Sequence, residues 1–457
     1  MMQTLPASSP AASFPFQLTE QQHKALDSMW TFLQPTVAAA LFLLVGYAGT
    51  GKSTIVFQLI KVLVSQGKRV VLTAPTNKAV GVLQRMALEN SVTGVDFFTI
   101  HQLLGLGMVS RGNEKVLAPT GTSYIGLFDV VFIDECSMIG EQLWHWIEEA
   151  SKRTSTWHPL KMILMGDPAQ LNPVNEGRSP AFNIPNKTVL TQVVRQGTDS
   201  PLLEFITACR YAVTKSKAPF EPFAKYLLDK SNGSLLVKRR SLLKYAFKKT
   251  SREFIQNPDC FRILCWTNAQ VDYYNQQIRN HLYGKTTARF VPGERLITRD
   301  PVLAPDGKTI ILSTSTEFTI QEFSEDRYSN YQSWRLKVAT DDGVLRQIYA
   351  LHEDEQNRFD IEARRLMAIA KRNPFLWRDY YRHLEQFANV RNCFAITVHN
   401  SQGSTFLECG VDGQDLSKRL NPERGETAKD LLAKVKEHNR LWYVGASRAR
   451  RRILVVP

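Results

Sequence analysis

Apolar runs of strand length alternate with stretches of helical periodicity over the first part of the chain. Leu41–Val45, Arg69–Ala74, Asp129–Ile133 and Lys161–Met165 are the runs, and amphipathic segments lie between them. That alternation predicts a parallel sheet covered by helices, from Leu18 to about Arg195. A second set follows at Arg262–Trp266, Cys393–Val398 and Arg452–Val456, again among helical segments. Two α/β domains are therefore expected, the second running over 196–285 and completed over 389–457. Its strands are interrupted by a segment, about 286–388, of different pattern. Glu317–Phe323, Trp334–Ala339 and Val344–Ala350 have β character, and Ile361–Phe387 is helical and aromatic-rich. This predicts an inserted small β-barrel with a helical arm. Gly112-Asn113, a two-residue turn signal between short possible strands, predicts an inserted hairpin at about 105–125.

Composition narrows the partners. Among 457 residues, 57 Lys+Arg against 43 Asp+Glu give a net charge of +14, which favours a polyanion held through phosphates. The longest apolar run, Val37–Val45, is too short to cross a bilayer and reads as a buried strand. The six cysteines, Cys136, Cys209, Cys260, Cys265, Cys393 and Cys409, are scattered in apolar surroundings without a Cys-x-x-Cys pair, as expected of reduced core residues in an intracellular protein, with no zinc site. Residues 1–17 read as a disordered tail; Met1–Phe16 is rich in Pro, Ser and Ala and has no signal-peptide pattern. The basic stretch Lys238–Arg252 has two readings, phosphate contact or a solvated helix face.

Gly46-Tyr47-Ala48-Gly49-Thr50-Gly51-Lys52-Ser53 follows a strand-like run and precedes a helical one, the setting a P-loop requires. Glycines let backbone N–H groups wrap phosphates, the helix N-terminus adds its dipole, Lys52 neutralises β/γ charge and Ser53 can ligate Mg²⁺; Thr54 follows on the same helix. Val130–Ile133 ends in Asp134-Glu135, a Walker B pattern in which Asp134 would hold the Mg²⁺ shell and Glu135 would activate water. A third run leads into Gly166-Asp167-Pro168-Ala169-Gln170, where the Gln170 amide could sense a γ-phosphate; a Gly-Pro turn with an exposed amide is the plainer reading. Arg448 and Arg195 are candidates for the positive charge that phosphoryl transfer needs.

The ordered series LTEQQ (Leu18–Gln22), GYAGTGKS, TAPTNKAV (Thr73–Val80), TIHQLLG (Thr99–Gly105), FIDECS (Phe132–Ser137), GDPAQLNPV, VVRQ, WTNAQVDYYN (Trp266–Asn275), ITVHNSQGST (Ile396–Thr405) and LWYVGASRAR (Leu441–Arg450) resembles the motifs of superfamily 1 helicases of the 5′-to-3′ branch, the Dda- and RecD-like group. The resemblance covers nearly the whole chain after the tail. It implies two RecA-like motor domains, the first with an inserted β-hairpin, the second with an inserted SH3-like β-barrel and helical arm. It further implies an ATP- and Mg²⁺-dependent enzyme acting as a monomer on single-stranded DNA and duplex junctions, with no membrane association and with replication or repair proteins as partners. By motif, Gln22 would read the adenine; Gly46, Ala48, Gly49, Thr50, Gly51, Lys52, Ser53 and Thr54 would cradle phosphate. Asp134, Glu135, Gln170, Arg195 and Arg448 would serve hydrolysis, and Gln402 and Gly403 would lie near the ribose. Pro75, Thr76, Asn77, Thr99, His101, Asn268, Thr397 and His399 match positions along the single strand, with packing as the other reading of the two histidines.

A P-loop ATPase that remodels protein or acts as a nucleotide switch is the main rival. The paired strand-contacting motifs weigh against it, as intact Lys52, Asp134, Glu135 and Arg448 weigh against an inactive binding module. The hairpin lacks a large aromatic at its tip, and Phe375, Trp377, Tyr380 and Tyr381 have two readings, a docking face or packing within the insert.

Overall fold

The computed structural model describes residues 17–457 except 112–113, 153–159, 174–175, 195–199, 252–253, 255–256, 286–287 and 308. The tail, the Gly112-Asn113 turn and Arg195 thus lie outside the described residues. The chain divides into two compact units, one of residues 1–109, 117–203 and 210–216, the other of residues 110–116, 204–209 and 217–457.

The first unit is built on a six-stranded sheet in the order Val95–Thr99, Val70–Ala74, Val130–Ile133, Lys161–Gly166, Leu41–Gly46, Lys187–Leu190. Every neighbouring pair is parallel. A parallel strand carries side chains alternately to two faces, and here both are covered. Phe42 and Leu44 join Leu72, Phe132, Ile163 and the helix Lys52–Ser65 in one core; Leu43 and Val45 join Val71, Val131, Ile133, Leu164 and the helix Glu141–Lys152 in the other. The four predicted strands are its middle. Leu106–Arg111 and Glu114–Pro119 form a separate two-stranded sheet, in the segment where the hairpin is expected. The base of this small sheet is tied down: Gly105 adopts a left-handed φ of 67°, and its carbonyl accepts from the amides of Thr120 and Gly121 at 2.9 and 3.0 Å. A Cβ on Gly105 would collide with the Gly121 and Thr122 backbone, so only glycine fits.

The second unit holds another six-stranded sheet, Ala395–Thr397, Phe261–Cys265, Phe406–Asp412, Ala449–Val456, Gly233–Leu236 and Lys225–Tyr226, parallel except for the last pair. A five-stranded antiparallel sheet follows the order Leu345–Leu351, Tyr331–Thr340, Glu317–Tyr328, Arg295–Thr298, Val390–Asn392. Its own apolar core includes Phe290, Phe318, Ile320, Leu336, Val338 and Ile348. The helices Gln356–Arg372 and Trp377–Glu385 follow this sheet and pack on it through Phe359, Phe387 and Tyr331. The basic stretch is the helix Arg239–Ser251, where Arg239 forms a two-pronged pair with buried Asp412 at 3.0 Å and Lys249 approaches Glu408. All six cysteines are free thiols and buried. Among the described residues no helix is long and apolar enough to cross a membrane.

Candidate nucleotide site and strand-contacting residues

Leu41–Gly46 delivers the chain to the loop Tyr47–Gly51, and the helix begins at Lys52. The loop's shape depends on glycine at three places. Gly49 and Gly51 have φ of 82° and 79°, a region other residues enter only with strain, and a Cβ on Gly46 would strike the Thr50 hydroxyl and the Lys52 side chain. Lys52 donates from Nζ to the carbonyls of Gly46 and Tyr47, the latter at 3.2 Å, so its ammonium is held over the loop. Ser53 is half-buried and Thr54 exposed one residue further along the helix. Gln22 is buried; its Nε2 donates to the Thr50 carbonyl at 3.1 Å and its Oε1 accepts from the Thr19 amide at 3.0 Å, locking the capping box of the helix Glu20–Phe32 against the loop.

Asp134 continues the strand Val130–Ile133, its amide donating to the Thr73 carbonyl at 2.8 Å. Glu135 then takes a left-handed φ of 53°, a conformation that costs a non-glycine residue on the order of 1–3 kcal/mol and turns the backbone sharply at the strand's end. The Cys136 thiol registers the charge around it: burial and the carboxylates of Asp134, Glu135 and Asp167 push its pKa well above the ordinary range, and the Lys52 ammonium pulls the other way. Lys52, Asp134, Glu135 and Asp167 all follow the C-terminal ends of parallel strands, at one end of the sheet. Gln170 is buried, its amide donating to the Asp167 carbonyl at 3.2 Å. The Gly-Pro turn is real, but the side chain is not the exposed amide of the plainer reading.

The strand-contacting candidates of this unit have visible local duties. Pro75 and Thr76 follow Val70–Ala74; the Thr76 hydroxyl caps the helix that starts at Asn77 by accepting from the Ala79 amide at 3.2 Å. Thr99 is buried and caps Ile100–Leu104 in a box with Gln102. His101, whose pKa burial lowers, lines an open cavity of about 380 Å³ with Phe98, Gln102, Thr120, Thr122 and Tyr124.

In the second unit Asn268 opens the helix Asn268–Tyr283, and its Oδ1 accepts from Arg391 at 2.9 Å. Thr397 is buried and its hydroxyl accepts from the Asn400 amide at 3.2 Å; burial also lowers the His399 pKa. Gln402 is buried and Gly403 has a left-handed φ of 71°. Arg448 is buried too. It donates to the carbonyls of Val444 and Ser404, both at 3.2 Å, and to the Ser447 hydroxyl at 3.0 Å, which ties the end of the helix Ala428–Ser447 to the segment carrying Gln402 and Gly403.

A family model described as an AAA domain matches residues 17–215. An uncharacterized protein of Acanthamoeba polyphaga mimivirus is 25% identical, covering 83% of this chain and 90% of its own. The ATP-dependent DNA helicase Dda of Enterobacteria phage T4 is 24% identical, covering 78% of this chain and 84% of that protein. The ATP-dependent RecD2 DNA helicase of Deinococcus radiodurans is 32% identical over 41% of this chain and 23% of its own length. The chain is thus similar to Dda over most of its length and to RecD2 over less than half of it. Its fold also matches a chain from a structure of two Pif1 helicases coordinating DNA unwinding at a fork, with a TM-score of 0.51 and 16% identity, covering 97% of this chain and 92% of that one.

Two residues at the nucleotide site escaped sequence reasoning. Asp167 is 1% exposed, and its carboxylate accepts from the Ala48 amide at 3.1 Å and the Ala169 amide at 2.9 Å. It therefore holds the P-loop to the neighbouring strand's end. The signal was present: like Asp134, it is an acid directly after a buried strand. Arg210 places its guanidinium 4.7 Å from the centre of the Tyr47 ring, far away in sequence and without any motif to mark it.

Proposed function

We propose that the chain is an ATP-driven DNA helicase that moves 5′ to 3′ along single-stranded DNA and unwinds duplex. The observation that carries this reading is that the P-loop with Lys52 and the acids Asp134 and Glu135 follow strands at the same end of a parallel sheet, in a chain similar to Dda over 78% of its length. The donor set fits a nucleotide with Mg²⁺: positive-φ glycines and Lys52 suit phosphate, and the Ser53 hydroxyl with the Asp134 carboxylate suits a hard cation. Lys52 neutralises phosphate charge, Glu135 orients and deprotonates the attacking water, Gln170 senses the γ-phosphate, and Arg195 and Arg448 stabilise the transferring phosphoryl. Gln22 reads the base, while Gln402 and Gly403 serve the ribose.

Pro75, Thr76, Asn77, Thr99, His101, Asn268, Thr397 and His399 grip the strand in this reading, mostly through its backbone, which gives sequence-tolerant binding. The antiparallel sheet with its two helices is taken as an SH3-like insert with a helical arm, and the hairpin as a wedge that parts strands by steric exclusion. The protein then works inside the cell, on DNA.

ATP turnover measured alone and with single-stranded DNA, RNA or an unfolded protein tests the reading. Strong stimulation by DNA is expected, and stimulation by protein alone would replace the helicase with a remodelling ATPase. On partial duplexes, a 5′ overhang should be opened far better than a 3′ overhang. Equal opening of both removes the assigned polarity.

A further inference from the structure

The helical arm presents a surface that the proposed motor chemistry does not use. Helical spacing puts Trp377, Tyr380, Tyr381 and Leu384 along one stripe of the helix Trp377–Glu385, and Arg378 and Arg382, four apart, along the stripe beside it. The inward side of the same helix is already committed. His383 is buried, stacks on Phe359 with ring centres 4.1 Å apart and bonds its carbonyl at 3.0 Å. The outer rings pack on one another instead, Trp377 to Tyr380 at 5.4 Å and to Tyr381 at 5.9 Å, and all three stay half-exposed. Phe375, just before the helix, is 91% exposed, and Leu384 is 39% exposed.

Single exposed apolar residues are ordinary, but a contiguous group of rings is a surface with a use. The charge around it says which. Lys371, Arg372, Arg378 and Arg382 are all exposed, and among the described residues none of them has an ion pair; Asp379 and Glu385 are the only carboxylates from 371 to 385. Elsewhere on the arm two cations are spent on carboxylates, Arg365 on Glu362 at 2.6 Å and Arg358 on Glu355 at 3.1 Å. Exposed rings interleaved with unspent cations match the two faces of unpaired nucleic acid, bases to stack and phosphates to neutralise.

We propose that this arm surface is a second binding site for single-stranded DNA, with Phe375 and the Trp377 group stacking on bases and Arg378 and Arg382 contacting phosphates. The inference rests on the proposed helicase function, since a fork supplies an unpaired strand beyond the one being tracked.

The test compares the unaltered chain with a Phe375→Ala, Arg378→Gln, Arg382→Gln variant, all exposed positions whose replacement leaves the buried His383 and Phe359 contact intact. Affinity is measured over a salt series for a fork with two unpaired arms and for a short single strand. The variant should bind the fork about tenfold more weakly, with a log–log salt slope shallower by about 1.4, the share of two phosphate contacts on single strands. Short-strand affinity and the ATP turnover that saturating short strand elicits should not change. Unchanged fork affinity and slope overturn the second site, as does equal weakening on both DNAs, which would make the arm part of the main track. An unaltered chain that binds no DNA overturns the function reading itself.

Discussion

The strands Leu41–Gly46 and Phe261–Cys265 both lead through a turn into a long helix, yet the two turns are finished differently. In the first, the loop Tyr47–Gly51 has room made by left-handed glycines, carries Lys52 at its end, and commits the Ala48 amide to Asp167. In the second, the turn is only Trp266 and Thr267, and a single buried carboxylate closes it. Asp415 accepts from both amides and from the Thr267 hydroxyl, each at 2.8 Å, and is paired with Lys418 at 2.8 Å. A helix N-terminus attracts an anion. One unit keeps a loop shaped for a polyphosphate there, and the other supplies the anion from its own chain. A P-loop is thus more than a β-to-α turn; it is a longer turn opened by left-handed glycines, where the second turn is short and closed by one carboxylate.

The comparison breaks most readily at Lys52. Lys52→Ala should lower ATP turnover by about a thousandfold, as loss of a preorganised charge does, while DNA affinity stays close to normal. Phosphate release and strand binding measured on one preparation check it, and ordinary turnover would remove the loop from the chemistry. Asp415→Ala should act on stability instead. Stranding two amides, a hydroxyl and an ammonium should cost about 3 kcal/mol in denaturant unfolding of the second unit, with ATP binding to the first retained. A cost under about 0.5 kcal/mol would mean that water replaces the carboxylate easily.

Acid should act more gently. His438 is 1% exposed, accepts from the Trp442 indole N–H at 3.1 Å, and has its pKa lowered by burial from an ordinary 6.5. Its neutral form is the one the fold holds. The stability it contributes is therefore complete above pH 6.5 and is lost as pH falls toward the depressed folded value, by at most about 1.4 kcal/mol per pH unit. His438→Gln should flatten this part of the pH dependence, and an unaltered slope would assign the loss to other groups. The smallest effect is expected at Thr76. Thr76→Ala should cost about 1 kcal/mol through the lost helix cap, and Thr76→Ser should restore it. If Ala leaves stability untouched and only weakens DNA binding, the cap is incidental.

What the sequence made legible follows the chemistry of each strand. Leu41–Gly46 and Lys161–Gly166 are nearly pure apolar runs because helices cover both faces. Phe406–Asp412 sits third in its sheet and yet was not foreseen, because Glu408 and Asp412 make it read as polar. Those acids are buried in partnership with Arg452 and Arg239, at 2.8 and 3.0 Å, and pairing at long range leaves no periodic trace. Lys187–Leu190 is an edge strand with alternating exposure, too short to announce itself, and Val95–Thr99 occupies the opposite edge. At the site, the P-loop and Asp134-Glu135 were visible as contiguous motifs. The positions of Asp167 against Ala48 and of Arg210 over Tyr47 were not, because they exist only once distant segments meet.

The burial of every cysteine carries a practical consequence. Alkylating reagents react with thiolates, and the six native thiols are both enclosed and, at Cys136, Cys209, Cys265, Cys393 and Cys409, biased toward the protonated form by their surroundings. The folded chain is in effect a blank background for maleimide dyes. A single cysteine introduced by Phe375→Cys would take a fluorophore at one known place, so the movements of the arm could be followed optically without first stripping the protein of its own sulfur.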